Sequence, residues 1–279
     1  MIIGSGNRLS AEIARQGRLS QDIARLQVEI SGEKRILAPS DDPAGAARVA
    51  QIGRVQANEK AWAANADGAA ALASRVETNL TTIGTAIDRA IELMTLARAT
   101  TASAADRQTY AAEIAGIASD ITELAGQSDS RGQSLFPSGE PLGIPVGKTA
   151  TLQATLSHET VFGPAGADMV SVLNAAVTAL GSDDATVMAK TGEAMIAMQA
   201  SRERLTDARG EHGARAALID QVRDRFLASG LTLSEERSNI EDTDVTSAAP
   251  RLQAKLLTLE AAQAAFARIH KQTLFDLLG

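Results

Sequence analysis

The sequence predicts a mainly α protein: an elongated antiparallel bundle of long helices, with paired terminal helices and a small β-hairpin region at the far tip. Three observations carry that expectation. Only 3% of the 279 residues are aromatic, and alanine is abundant, which suits long helices packed through Ala, Leu and Ile better than a compact core of large side chains. Apolar residues recur at three- and four-residue spacing over long stretches free of proline. Four of the seven prolines, Pro137, Pro141, Pro145 and Pro164, lie between Gly132 and Gly166, so β-structure is confined to one short region.

The first helix is marked by Leu9, Ile13, Leu19, Ile23, Leu26 and Ile30, with Gln16 filling the missing step. Ile2, Leu9, Gln16, Ile23 and Ile30 are also seven apart, the seam spacing of a coiled coil. The pattern stops at a corner. Pro39 and Pro43 bracket Ser40, Asp41 and Asp42, and a proline disfavours helix for the residue before it, so Lys34 to Ser40 is expected to run extended. Asp42 is a natural N-cap with Pro43 at the first helical position, where its missing N–H costs nothing. Asp41 adds negative charge beside the positive end of the new helix.

That second helix runs proline-free to about Ala99, with its stripe at Ala69, Leu72, Val76, Leu80, Ile83, Ile87, Ile91 and Met94. After Thr100 and Thr101, Ser103 caps a third, with Tyr110, Ile114, Ile117, Ile121 and Leu124 on one face. The proline-rich region follows. Weak alternation from Lys148 to Leu156, with Leu135-Phe136 and Val161-Phe162 as strand ends, allows a hairpin or two. Helix returns from Asp168 to Leu180. A second long rod follows to about Asn239, striped by Val187, Thr191, Met195, Met198, Leu205, Leu218, Val222 and Phe226. A polar joint, Ile240 to Pro250, precedes the last helix, which carries Leu252, Leu256, Leu259, Gln263, Phe266 and Ile269 and ends in Leu274, Phe275, Leu277 and Leu278.

The order of elements is nearly palindromic, so the chain is expected to go out and return, with the corner and the polar joint side by side. Three domains are expected: residues 1–40 with 251–279 as terminal coiled-coil-like helices, 41–131 with 167–250 as a helical rod, and 132–166 as a small β tip. The terminal stripes and the four apolar residues at the end exceed what two helices bury alone, which implies self-association or a partner.

Charge and composition exclude several functions. The net charge is −7; residues 1–40 carry six Lys/Arg against four Asp/Glu, and 251–279 four against two, leaving an acidic middle. Basic residues interleave with acids and lack aromatic stacking partners, so no nucleic-acid partner is expected. No window approaches the roughly 18 apolar residues of a membrane span, and no apolar run at the start resembles a signal peptide, so export would take another route. There is no cysteine, which excludes thiol chemistry and Cys-based zinc sites. His158, His212 and His270 are too far apart for a local metal motif, and Asp41 and Asp42 lack ligand-spaced companions. No nucleophile elbow, phosphate loop or dinucleotide fingerprint occurs. The expectation is neither enzyme nor cofactor. Met188, Met195 and Met198 read as core filler, and Trp62 as either an interhelix anchor or a subunit contact.

Residues 32–47, Gly-Glu-Lys-Arg-Ile-Leu-Ala-Pro-Ser-Asp-Asp-Pro-Ala-Gly-Ala-Ala, resemble the corner of the bacterial flagellin superfamily. Their Pro-Ser-Asp-Asp-Pro form is more similar to the family's hook–filament junction members than to its filament flagellins. Residues 105–114 and 121–125, then 238–244 and 261–278, resemble later family runs in the same order. Two departures stand out. Ala99 to Ser103 replaces the family's frequent Asn-Gly-Thr break, and Gly132 to Ser138 replaces its Gly-Arg-Tyr-Leu-Phe-Ala-Gly run. An outer domain reduced to hairpins, or missing, is therefore expected.

The resemblance implies a structural subunit of the flagellum, exported through the flagellar type III apparatus to an extracellular position. It also implies a ring of copies between a hook-side junction protein and flagellin, with an export chaperone bound before secretion. Alternatives are filament flagellin itself or a flagellin-like cell-surface binding protein. The residues expected to serve assembly are Ile2, Leu9, Ile13, Ile23, Leu26 and Ile30 at one end. At the other they are Leu252, Leu256, Leu259, Phe266, Ile269, Leu274, Phe275, Leu277 and Leu278. Pro39, Ser40, Asp41, Asp42 and Pro43 form the corner.

Overall fold

Seven helices and one two-stranded antiparallel sheet make up the described chain in a computed structural model that covers residues 3–182 and 186–275, with side chains described for 10–182 and 186–268. They are α1 (Ile3–Ser31), α2 (Pro43–Ala97), α3 (Ala104–Ala125), β1 (Ile144–Pro145), β2 (Thr151–Leu152), α4 (His158–Phe162), α5 (Met169–Leu180), α6 (Val187–Glu241) and α7 (Val245–Phe275). The contacts divide the chain into two compact units, residues 58–229 and residues 1–57 with 230–279. This boundary falls inside α2 and α6, not at the corner where the sequence pattern changes. Both helices have 55 residues, each about 80 Å at 1.5 Å per residue.

The unit of residues 58–229 is built on an antiparallel pair. Along α2 and α6 rising numbers meet falling ones: Asp67 with Arg223 at 2.8 Å, Glu77 with Arg209 at 3.3 Å, and Asp88 with Arg202. The stripe of α2 is buried at Val76, Leu80, Ile83 and Ile87, against Ile114 and Ile121 of α3 and Met169 and Leu173 of α5. On α6 the stripe differs from the periodic reading. Thr191, Met195, Met198, Leu205 and Val222 are buried, but Leu218 is half exposed and Ile219 takes its place. Ser201, Ala208 and His212 complete the buried face, because tight pairing with the alanine-rich α2 leaves room for small or hydrogen-bonded side chains there. Met188 is exposed while Met195 and Met198 are core. Trp62 is partly buried, its ring 6.5 Å from that of Phe226 across the pair.

Helix α3 begins as its sequence predicts. Ser103 and Asp106 form a reciprocal capping box, with Asp106 N donating to Ser103 Oγ at 3.1 Å and Ser103 N to Asp106 Oδ2 at 2.9 Å.

The proline-rich region is mostly irregular, and the sheet is shorter than the alternation suggested: Ile144 pairs with Leu152 and Pro145 with Thr151. Val161 and Phe162, expected at a strand end, lie in α4, whose N-cap is Ser157. Both are buried, and Phe162 meets Phe136 edge-on at 5.3 Å. Gly163, at φ +103°, ends α4. A Cβ there would come within 2.7 Å of Arg204 Nη1, so the position needs glycine for backbone and space alike.

The hairpin does not project beyond the helix ends. Val146, Leu152 and Ala154 pack on Ala66, Ala69, Ile219 and Val222, and Asn65 Nδ2 donates to Pro145 O at 2.8 Å. Burying three apolar side chains on the flank of α2 and α6 is more favourable than leaving so short a hairpin in water.

The second unit pairs α1 with α7, again antiparallel. Asp22 accepts a 2.6 Å bond from Lys255, and Ile23 is buried in the seam. The last helix starts earlier than expected: Asp244 caps it, accepting from Thr246 N at 3.0 Å and Ser247 N at 3.3 Å, and Pro250 lies inside it. Among the described residues no helix is long and apolar enough to cross a membrane.

Candidate assembly surface

The corner and the polar joint lie against each other within this second unit. Lys34 and Asp242 form an isolated antiparallel bridge; Arg35 N donates to Glu241 O at 2.7 Å, and Thr243 N to Glu33 O at 2.8 Å. Glu33 adopts a left-handed conformation, φ 54°, two residues past Ser31 at the end of α1, the position that usually takes glycine when a helix ends and the chain reverses. Its carbonyl is thereby turned toward the joint.

Side chains reinforce the pairing. Glu241 is nearly buried and is held by Lys34 and by Arg237 Nε at 2.7 Å. Those bonds, from Arg237 first and Lys34 second, hold its carboxyl below the ordinary 4.5. Arg35 Nη2 reaches both Ile240 O at 2.8 Å and Asp42 Oδ2 at 3.2 Å.

Asp42 Oδ1 accepts from Gly45 N at 2.9 Å, with Pro43 opening α2. A Cβ on Gly45 would fall 2.6 Å from Asp42 Oδ2 and 2.8 Å from Ile36 Cδ1, so this cap requires glycine at its third position.

Asp41 does something the sequence did not announce. Its Oδ2 accepts from Ala38 N at 2.9 Å and Leu37 N at 3.1 Å, folding Ala38 to Asp41 into a turn where an extended run was expected. Its other oxygen binds Arg25 of α1 at 3.0 Å. The peptide N–H groups of Ala38 and then Leu37, joined by Arg25, hold Asp41 below its ordinary value. The Gly45 N–H first, and Arg35 next, do so for Asp42. Pro39 and Ser40 are turn residues.

The apolar residues of the terminal helices divide into two sets. Ile23 is 6% exposed, and Leu19, Leu26, Ile30, Leu252, Leu259, Ala262 and Phe266 are half-buried; these form the seam within the chain. Ile23 is thus covered within its own chain, where α1 pairs with α7. The heptad stripe of α1 faces α7 because the joint folds the two helices together. The outward set is Ile13 at 55%, Val28 at 51%, Val245 at 42%, Leu256 at 37% and Leu257 at 68% exposure. Val28 and Leu257 escaped the periodic reading because they lie off the stripe that α1 and α7 share. The side chains of Leu9, Ile269, Leu274 and Phe275, and all of Ile2, Leu277 and Leu278, lie outside the described residues.

His212 is buried in the other unit, where its Nε2–H donates to Ala73 O at 2.9 Å and its Nδ1 has no partner. Among the described residues no group of three His, Cys, Asp or Glu is placed to hold a metal ion.

Long paired helices, a capped corner and an uncovered apolar set make up this surface. Residues 7–139 match the bacterial flagellin N-terminal helical region. The chain is 28% identical over 171 residues to the flagellar hook-associated protein 3 of Salmonella typhimurium, covering 57% of this chain and 54% of that protein. It is 29% identical over 148 residues to the Escherichia coli protein of the same name, covering 50% and 47%. The chain spans about half the length of the curated relatives it matches. A solved Vibrio parahaemolyticus protein described as a flagellar hook-associated protein shares the fold, with a TM-score of 0.67 at 15% identity over 72% of this chain and all of that one.

Proposed function

We propose that this protein is a structural subunit of the bacterial flagellum that joins a hook-side junction protein to the flagellin filament. The observation that carries the reading is the terminal pair. Among its described apolar residues Ile23 and Ala248 are buried, while Ile13, Val28, Val245, Leu256 and Leu257 stay exposed. Such a pair gains little by folding alone and much by packing on neighbours, as expected of segments that complete their order on assembly.

In this role the copies form a ring between hook and filament after export through the flagellar type III apparatus, with a chaperone covering the terminal helix beforehand. The corner joins the assembling pair to helices that are already packed. Sites of chemistry have no part in it. The relatives' name, hook-associated protein, supports the position.

The test is deletion of the gene followed by electron microscopy and complementation. The expected result is hooks without filaments and flagellin shed into the medium, with filaments restored by the wild-type gene; normal filaments in the deletion strain overturn the role. A second reading, filament flagellin, draws on the match to the flagellin N-terminal helical region. It predicts long filaments from the purified protein seeded on hooks, where a junction subunit stops after a short cap.

A further inference from the structure

The unit of residues 58–229 holds two hydrophobic cores. The main one joins α2 from Val76 onward to α3, α4 and α5, with Phe162, Met169 and Leu173 among its buried side chains. The smaller one lies under the hairpin, where Val146, Leu152 and Ala154 meet Ala69, Ala73 and Ile219. Along α2 the change from one to the other falls between Ala73 and Val76, and along α6 between Ala208 and Ile219. It also falls at Thr155, since Ala154 belongs to the smaller core and Leu156 to the main one.

His212 occupies the layer between them. Its ring is 1% exposed; Nε2–H donates to Ala73 O at 2.9 Å, and Nδ1 is buried without a partner. One turn along α6, Arg215 Nη1 donates to Thr155 O and Nη2 to Glu211 Oε1 at 2.6 Å. One histidine and one arginine of α6 thus hold the backbone of α2 and of the segment after β2 at the level where both cores give out.

A proton on Nδ1 breaks this layer. The new N–H has no acceptor, and a buried donor without one is costly. Its charge is unmatched as well. From α2 comes Glu77, whose carboxylate stands 4.0 Å from Nε2 and is already held by Arg209 at 3.3 Å. From α6 itself come Arg215, which repels a second cation, and Glu211, which is bound to Arg215. The segment after β2 brings the Thr155 carbonyl, which Arg215 has taken. Burial above all, with Arg215 adding to it against the Ala73 carbonyl and Glu77, holds the ring below its ordinary 6.5, so the closed layer is the neutral form and acid supplies the proton.

We infer that the His212 layer is a pH-operated joint: a proton on the ring releases the hairpin core from the α2–α6 pair while the main core stays closed. The smaller core is the side that gives way. Its α2 face is alanine and its strands are two residues long, whereas the main core buries whole rings and leucines from four helices. Local opening takes the part with the least apolar surface to expose. The joint acts inside one subunit and needs no neighbour.

Hydrogen exchange of the full chain at pH 7.5 and pH 5.5, corrected for the intrinsic chemical rate, tests it. Amides of residues 66–73 and 144–154 should lose protection at least tenfold at the lower pH, while those of residues 80–94 and 111–121 keep theirs. His212→Gln, which retains an N–H for Ala73 O and does not titrate, should show no such loss. In wild type the midpoint of the loss should coincide with the ring titration of His212 followed by NMR, a reading that needs no variant to fold. Hairpin protection that is unchanged with pH, that falls equally in His212→Gln, that falls in step with the main core, or that has a midpoint away from the ring titration overturns the joint.

Discussion

Replacing Ile13 and Leu257 together by alanine separates folding from assembly. Full burial of an isoleucine or leucine contributes about 1.5–3 kcal/mol. Ile13 is 55% and Leu257 68% exposed in the chain, so about 1–2 kcal/mol remains at each for a neighbour to gain by covering it. The pair together offers about 2–4 kcal/mol, or roughly a 30- to 700-fold loss of association constant on truncation. The isolated subunit should hardly notice, since exposed substitutions usually stay within about 0.5 kcal/mol and alanine favours the helix.

Ile23→Ala is the contrast. At 6% exposure it is the buried member of the seam, and its truncation should cost the isolated pair about 2 kcal/mol, near the low end for a core isoleucine because two helices can close over the gap. Sedimentation velocity across a concentration series reads association, and circular dichroism melting reads the fold. The reasoning fails if the double variant associates like wild type, or if it unfolds more readily than Ile23→Ala.

Three further outcomes are expected. The corner and joint depend on ionised Glu241, Asp41 and Asp42, all held below their ordinary values of 4.5 and 3.8. Their contribution is present above those values and lost as pH falls through the lower folded ones, so protease resistance of residues 32–43 should fall only below about pH 4. Glu241→Gln should cost about 1 kcal/mol at neutral pH, because Lys34 and Arg237, 47% and 43% exposed, can rehydrate. A loss above about 3 kcal/mol would show that they cannot. Burial holds His212 below its ordinary 6.5. Its neutral form stabilises the fold above pH 6.5, and that contribution fades as pH falls toward the folded value. The fluorescence of Trp62, the single tryptophan, should report a melting temperature that declines below pH 6.5 in wild type and declines less in His212→Gln. The same reporter should show Phe162→Ala, which empties a fully buried site beside Phe136, destabilising this unit by about 3–5 kcal/mol; a loss under 1 kcal/mol would mean that α4 does not anchor the irregular region.

The long helices were legible because their stripes repeat over many turns, and local chemistry marked their ends, as Ser103 with Asp106 and Asp42 with Pro43 illustrate. What stayed hidden depends on partners distant in sequence. Periodicity placed Leu218 on the buried face of α6, but the close approach of α2 gave that face to Ala208, His212 and Ile219. Val161 and Phe162 are β-formers that fold as a helical turn because Ser157 caps them and the core takes both side chains. Val28 and Leu257 joined the candidate surface only after the partner of each terminal helix was known.

The amino-acid sequence by itself determined the helical class, the out-and-back order and the position of the corner, since these follow from residue spacing, proline and capping within a few residues. The tertiary structure decided which apolar residues remain uncovered, where the hairpin rests, and that Asp41 ties the corner to α1 while Glu241 ties it to its return joint. Those features are pairings between residues more than 200 positions apart, as Arg35 with Ile240 and Asp22 with Lys255 show, and no local pattern encodes which side chain a distant one will meet.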